Sequence, residues 1–195
     1  MKSKVVSGMS GLLLAFAMIL TGCGDGGGGD DGGGSLSVTG EPVYTAEYSG
    51  SNKYYITGPR YSGQEYQLIG KNGSNSSSIS IGNIGSLSAD GALTLNLPAD
   101  PPANALFDAP AQWGISAKLL DLDINLVNSI DEIGLKKSYF TGSCSLVYAD
   151  RDTPPGNNDF PALKKGWQYV AGGGGMTPTA SHTIPEGFQW AVYRK

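Results

Sequence analysis

An all-β fold, an antiparallel β-sandwich of about nine or ten short strands, is what this sequence predicts, and three observations carry the prediction. Apolar and polar residues alternate with a period of two in Leu120-Asp121-Leu122-Asp123-Ile124-Asn125-Leu126, in Leu93-Thr94-Leu95-Asn96-Leu97 and in Phe188-Gln189-Trp190-Ala191-Val192. Such alternation marks strands with one buried face. Turn chemistry falls between the alternating segments: Asn72-Gly73 and Asp90-Gly91 both tolerate positive φ. The 30 Gly and 11 Pro among 195 residues oppose long helices, while 39% hydrophobic residues suffice for a core.

In chain order, strands are expected near residues 43–48, 53–57, 65–69, 79–84, 93–97, 120–126, 142–149, 167–170 and 188–192. Asp90-Gly91 lies between Ser86-Leu87-Ser88 and Leu93-Thr94-Leu95, the pattern of a hairpin. Pro102 to Phe107 suits one turn of helix, with Pro102 near its first position. Composition shifts at Asp100-Pro101-Pro102, yet neither half of the chain would bury much core alone. A single domain over 36–195 is therefore expected, with two small β domains divided near residue 100 as the alternative.

The first 22 residues read as an address. Lys2 and Lys4 form a positive region, and Gly11 to Leu20 form an apolar run too short to cross a bilayer. Leu20-Thr21-Gly22-Cys23 resembles the lipobox of bacterial lipoproteins. That resemblance implies a diacylglyceryl group on the Cys23 thiol and cleavage between Gly22 and Cys23. Residues 24–35 contain eight glycines and no apolar side chain, so they cannot offset the entropy of ordering and form a flexible tether. Its mean span is roughly 20 Å. The implied location is the bacterial cell envelope, facing away from the cytoplasm, with the outer membrane or cell surface favoured because Gly24, not Asp, follows the cysteine. The partner implied by the lipid is the membrane.

Charge excludes one class of partner. The net charge of −4 becomes −6 once Lys2 and Lys4 leave with the leader, and no basic face for nucleic acid remains. Lipidation would consume one of two cysteines, which leaves Cys144 without a disulfide partner. On its strand Cys144 shares a face with Leu146 and Tyr148, the position of a small buried hydrophobe.

Constellations for catalysis or cofactors do not assemble in the sequence. His182 is the single histidine, no HExxH, CxxC or GxSxG motif occurs, and Gly172 to Gly175 lacks the lysine and helix of a phosphate loop. No cofactor is expected. Asp150-Arg151-Asp152 leads into a loop ending at Asp159 whose oxygens suit either calcium or a solvated turn in which Arg151 pairs with a neighbouring acid. Asp121, Asp123 and Asp150 are the residues a carboxylate-based hydrolase would use. Tyrosines crowd residues 44–66, and Trp167, Tyr169, Trp190 and Tyr193 follow later. Exposed rings of this kind bind sugars or proteins, with Tyr54, Tyr61 and Trp167 as candidates.

Tyr55-Ile56-Thr57-Gly58, Tyr66-Gln67-Leu68-Ile69 and Gly91-Ala92-Leu93-Thr94-Leu95-Asn96-Leu97-Pro98 resemble the opening of a carboxypeptidase-regulatory-like or transthyretin-like β-sandwich. Val147-Tyr148-Ala149-Asp150-Arg151-Asp152, Leu163-Lys164-Lys165-Gly166-Trp167 and Pro185-Glu186-Gly187-Phe188-Gln189-Trp190 resemble segments of small uncharacterised secreted bacterial lipoproteins. The resemblance implies a surface-anchored β domain and brings no enzymatic activity. The function expected is a lipid-anchored binding or adhesion module for a glycan or envelope protein. A structural envelope protein contacting other membrane components is the alternative, and a hydrolase comes last.

Overall fold

The computed structural model describes residues 34–48, 53–73 and 79–194. The leader, Cys23 and most of the tether lie outside the described residues. Asp31–Lys195 belongs to one compact unit.

Twelve strands run through the described residues. They are β1 (Leu36–Tyr48), β2 (Tyr54–Arg60), β3 (Tyr66–Asn72), β4 (Ser80–Leu87), β5 (Ala92–Leu97) and β6 (Phe107–Asp108). The second half supplies β7 (Lys118–Leu126), β8 (Asp131–Lys136), β9 (Ser143–Ala149), β10 (Gly166–Gly173), β11 (Met176–Ser181) and β12 (Gln189–Arg194). The all-β expectation holds. Pro102 to Phe107 yields a single 3-10 turn at Ala103–Ala105, and a second such turn forms at Ala111–Trp113.

The arrangement differs from an open two-sheet sandwich. Neighbouring strands run β9-β8-β12-β1-β5-β4-β3-β7, and β7 then pairs with β9, which closes an eight-strand barrel. β2, β6 and the β10–β11 hairpin are attached to strands of the ring. Alternation in the sequence fixes which side chains point inward, and both architectures satisfy it. Closure depends on which edges find each other, and a barrel removes edges that would otherwise stay unsatisfied. One contact that closes the ring joins the two ends of the folded chain: β1 and β12 pair in parallel, Val43 opposite Trp190.

β1 can serve several neighbours because it bends. Its first half pairs with β5 and its second with β2 and β12, with register shifts between Thr39 and Glu41 and between Tyr44 and Ala46. Gly40, at φ +75°, supplies the backbone freedom at the first shift.

The barrel interior is filled with aliphatic side chains. Leu93, Leu95 and Leu97 of β5, Leu120, Leu122, Ile124 and Leu126 of β7, and Leu68, Leu87 and Val43 are all buried in one cluster. Each such side chain contributes about 1.5–3 kcal/mol by leaving water. Trp167, Tyr169 and Ala171 of β10 belong to the same cluster. The segment after β5 lies over one end of the core: Trp167 Nε1 donates to Pro98 O at 2.8 Å, Tyr148 Oη to Asp100 at 3.4 Å, and Asn72 Nδ2 to Ala105 O at 2.7 Å. Asp100-Pro101-Pro102 thus spans an end of the barrel. Asn72, expected in a turn, is instead a buried anchor, 2% exposed.

Candidate functional site

A second, smaller core lies outside the barrel. Leu119 of β7 and Val147 and Ala149 of β9 point outward, because their neighbours in the alternation point in. Two connecting segments cover them. Residues between β6 and β7 bring Ile115 and Ala117, and residues between β9 and β10 bring Leu163.

The two covering segments fit together through backbone. The 3-10 turn at Ala111–Trp113 ends on Gly114 in the left-handed region, φ 67°. Asn157 N–H donates to Trp113 O at 2.7 Å, Phe160 N–H to Asn157 O at 3.1 Å and Gly156 N–H to Phe160 O at 2.9 Å. At Gly156 a Cβ would sit 2.0 Å from Trp113 O, so only glycine lets the segments approach this closely. The result is a stack of Trp113 on Phe160, centroids 4.6 Å apart and planes 14° from parallel.

Acidic side chains hold the cover from below. Asp150 accepts from Lys118 N–H at 2.9 Å and pairs with Arg151 at 2.7 Å. Asp152 pairs with Lys164 at 2.8 Å and accepts from Lys165 N–H at 2.8 Å. The Arg151 guanidinium holds the Asp150 carboxyl below its usual range, and the Lys164 ammonium does the same to Asp152. These carboxylates of the supposed calcium loop are thus engaged by cations and backbone of the chain itself. Among the described residues no three His, Cys, Asp or Glu gather as metal ligands would.

Beside the stack lies a groove of about 280 Å³. Phe107, Trp113 and Phe160 form its aromatic wall, and Asp121, Ser143 and Ser145 are its polar lining. Trp113 and Phe160 are half-buried, so the rings are anchored yet reachable. A largely apolar concavity with a few convergent polar groups is the usual form of a small-ligand site. Flat rings accept the apolar C–H faces of sugars, and carboxylate and hydroxyl groups accept or donate to their O–H groups.

The candidates read from sequence occupy other places. Trp167 is 4% exposed and packs edge-on to Tyr148 in the core, so its ring presents no face to solvent. Tyr61 packs against the same core and donates its O–H to Gln64 O at 3.1 Å. Tyr54 lies between Tyr48 and Tyr193, with Lys136 Nζ 4.2 Å from its ring centroid and 3.9 Å from that of Tyr193. A cation of the chain therefore already occupies that aromatic pair. None of the three lines the groove.

Asp121 and Asp123 leave the same face of β7 but line different cavities, Asp121 the groove and Asp123 a smaller cavity near Tyr193. Asp150 is tied to Arg151. His182 is exposed just beyond β11. Gly173, Gly174 and Gly175, all at positive φ, make the β10–β11 hairpin turn. Cys144 is buried, and burial pushes its thiol up to about 12.

Sequence reasoning missed Trp113 and Phe160. The available signal was position: both are aromatics outside any alternating run, one between Pro110 and Gly114 and the other directly after Asn157-Asn158-Asp159. An aromatic in a turn-rich segment is less committed to the core than one in a strand.

No protein-family model matches the chain, and no match is found among curated proteins or solved structures. The lipobox and sandwich resemblances therefore rest on the residues quoted for them.

Proposed function

We propose that this chain is a lipid-anchored cell-envelope protein that binds a sugar-containing ligand in the Trp113–Phe160 groove and does not turn it over. The observation that carries the binding half is the stacked ring pair beside Asp121, Ser143 and Ser145. The apolar wall suits sugar ring faces, and the three polar side chains suit hydroxyl groups. The anchor half rests on Leu20-Thr21-Gly22-Cys23 and the glycine tether. A span of roughly 20 Å would carry the groove clear of the lipid headgroups toward an envelope or host glycan.

Two measurements test it. Residues 31–195, one compact unit, are screened against envelope and host glycans beside the Trp113→Ala variant. Saturable binding that Trp113→Ala weakens about tenfold or more, with melting little changed, is the expected result. No glycan hit, or a hit indifferent to Trp113→Ala, refutes the groove. For the anchor, the intact mass of membrane-extracted protein should equal residues 23–195 plus acyl chains, and that species should vanish in Cys23→Ala. An unmodified mass refutes the anchor and leaves the groove standing.

A further inference from the structure

Three strands meet where β9 enters the barrel wall. β7 pairs with β9 as far as Leu122↔Leu146, and with β8 from Ile124↔Ile133 onward. β8 in turn meets β9 at Leu135↔Cys144. On these edges the register steps over Asp123, Gly134 and Ser145, one residue from each strand, and the wall forks around them. All three line a cavity of about 100 Å³, together with Lys136, Ser143 and Tyr193.

Trp190 lines the same cavity from the core side. It is 3% exposed, and among the described residues its Nε1 is the one buried side-chain nitrogen or oxygen with no hydrogen-bond partner. Leaving such an N–H without an acceptor shifts a folding equilibrium by about tenfold or more toward the unfolded chain. An acceptor at this position would remove that cost.

The walls identify that acceptor. An apolar cavity of this size stays dry, whereas one offering two to four polar partners holds water. Asp123, Ser143 and Ser145 are such partners. Anions fit less well: the Asp123 carboxylate repels them, and Lys136 Nζ already sits over the rings of Tyr54 and Tyr193. The space is large enough for a small cluster of waters.

We propose that the fork is a water-binding site, in which a small cluster of ordered waters accepts from Trp190 Nε1 and bonds onward to Ser145 and Asp123. The waters complete the barrel wall where β9 has its sparsest pairing, a single residue pair with β8. Ser145 also lines the Trp113–Phe160 groove, so the same waters hold one of its hydroxyls from behind. The inference does not depend on what the groove binds.

The test is water-to-indole cross-relaxation by NMR on the detergent-extracted protein with ¹⁵N-labelled tryptophan. The Trp190 indole N–H should show a water cross-peak of the sign that marks contacts longer than about a nanosecond. Ser145→Leu, which fills the fork, should erase the peak and lower the folding equilibrium constant about tenfold. In a Trp190→Phe background, which has no N–H to satisfy, Ser145→Leu should cost at least about fivefold less. No cross-peak in the wild type, or equal costs in the two backgrounds, overturns the proposal. Should Ser145→Leu fail to fold, the wild-type cross-peak decides alone.

Discussion

At Gly85 the backbone of β4 runs so close to β5 that a Cβ would stand 1.9 Å from Thr94 O, and φ is +150°. Both features exclude a side chain, and the neighbouring register shift at Leu68/Ile69 shows where the ladder absorbs the bend. Gly85→Ala should cost about 3 kcal/mol, read as a fall in the urea midpoint. Cys144 makes a second residue-scale case. Buried at 7% exposure with its thiol pushed up to about 12, it should ignore a thiol reagent at pH 8 and react only when urea unfolds the chain. Labelling at the rate of an exposed thiol would contradict the placement. The alternation of Cys144, Leu146 and Tyr148 already announced that burial. Nothing local announced that Asn72 would be buried on Ala105 O, because its partner lies far along the chain.

Among elements, the cover over β7 and β9 has its own small core, while its two segments meet through backbone bonds. That separation makes a selective lesion available. Gly156→Ala must push Trp113 O away and part the two segments. The expected outcome is a loss of groove binding and freer quenching of Trp113 fluorescence by acrylamide. Far-UV circular dichroism of the barrel should change little, since Gly156 lies outside its strands, and the other two tryptophans, Trp167 and Trp190, stay shielded in the main core. Strands with strong alternation were legible: β5, β7 and β12 stand close to where the pattern puts them. β8 was not, because its two core residues, Ile133 and Leu135, straddle Gly134 between charged ends and make too short an alternation to read. β11 was not, because it carries Pro178 and four polar residues or small ones on an edge, where pairing with β10 alone decides its state.

For the whole molecule, the interior that makes the barrel stable also sets its alkaline limit. Cys144 rises from 9.0 to about 12 and Tyr169 from 10.0 to about 12, both through burial, and burial raises Tyr148 and Tyr193 as well. These groups are neutral when protonated, and their folded values lie above their unfolded ones. The stability they contribute is therefore complete below about pH 9 and is lost as pH climbs through 10 toward 12. A pH titration of ellipticity should show unfolding in that window, with ionised tyrosine absorbance rising in the same transition. Tyrosine ionisation complete near pH 10 with the fold intact would show that the rings are not buried.

Period-two alternation, glycine and proline content and turn dipeptides determined an all-β chain and, within most strands, which side faces the core; burial of one face needs only local pattern. The same pattern is compatible with a sandwich or a barrel, so tertiary structure alone decided closure. It did so through long-range pairings, β1 with β12 and β7 with β9, and through bulges that bend β1 between three neighbours. The groove is likewise tertiary. Trp113 and Phe160 sit in segments without periodicity, and they stack because Gly156 allows two distant backbones to touch.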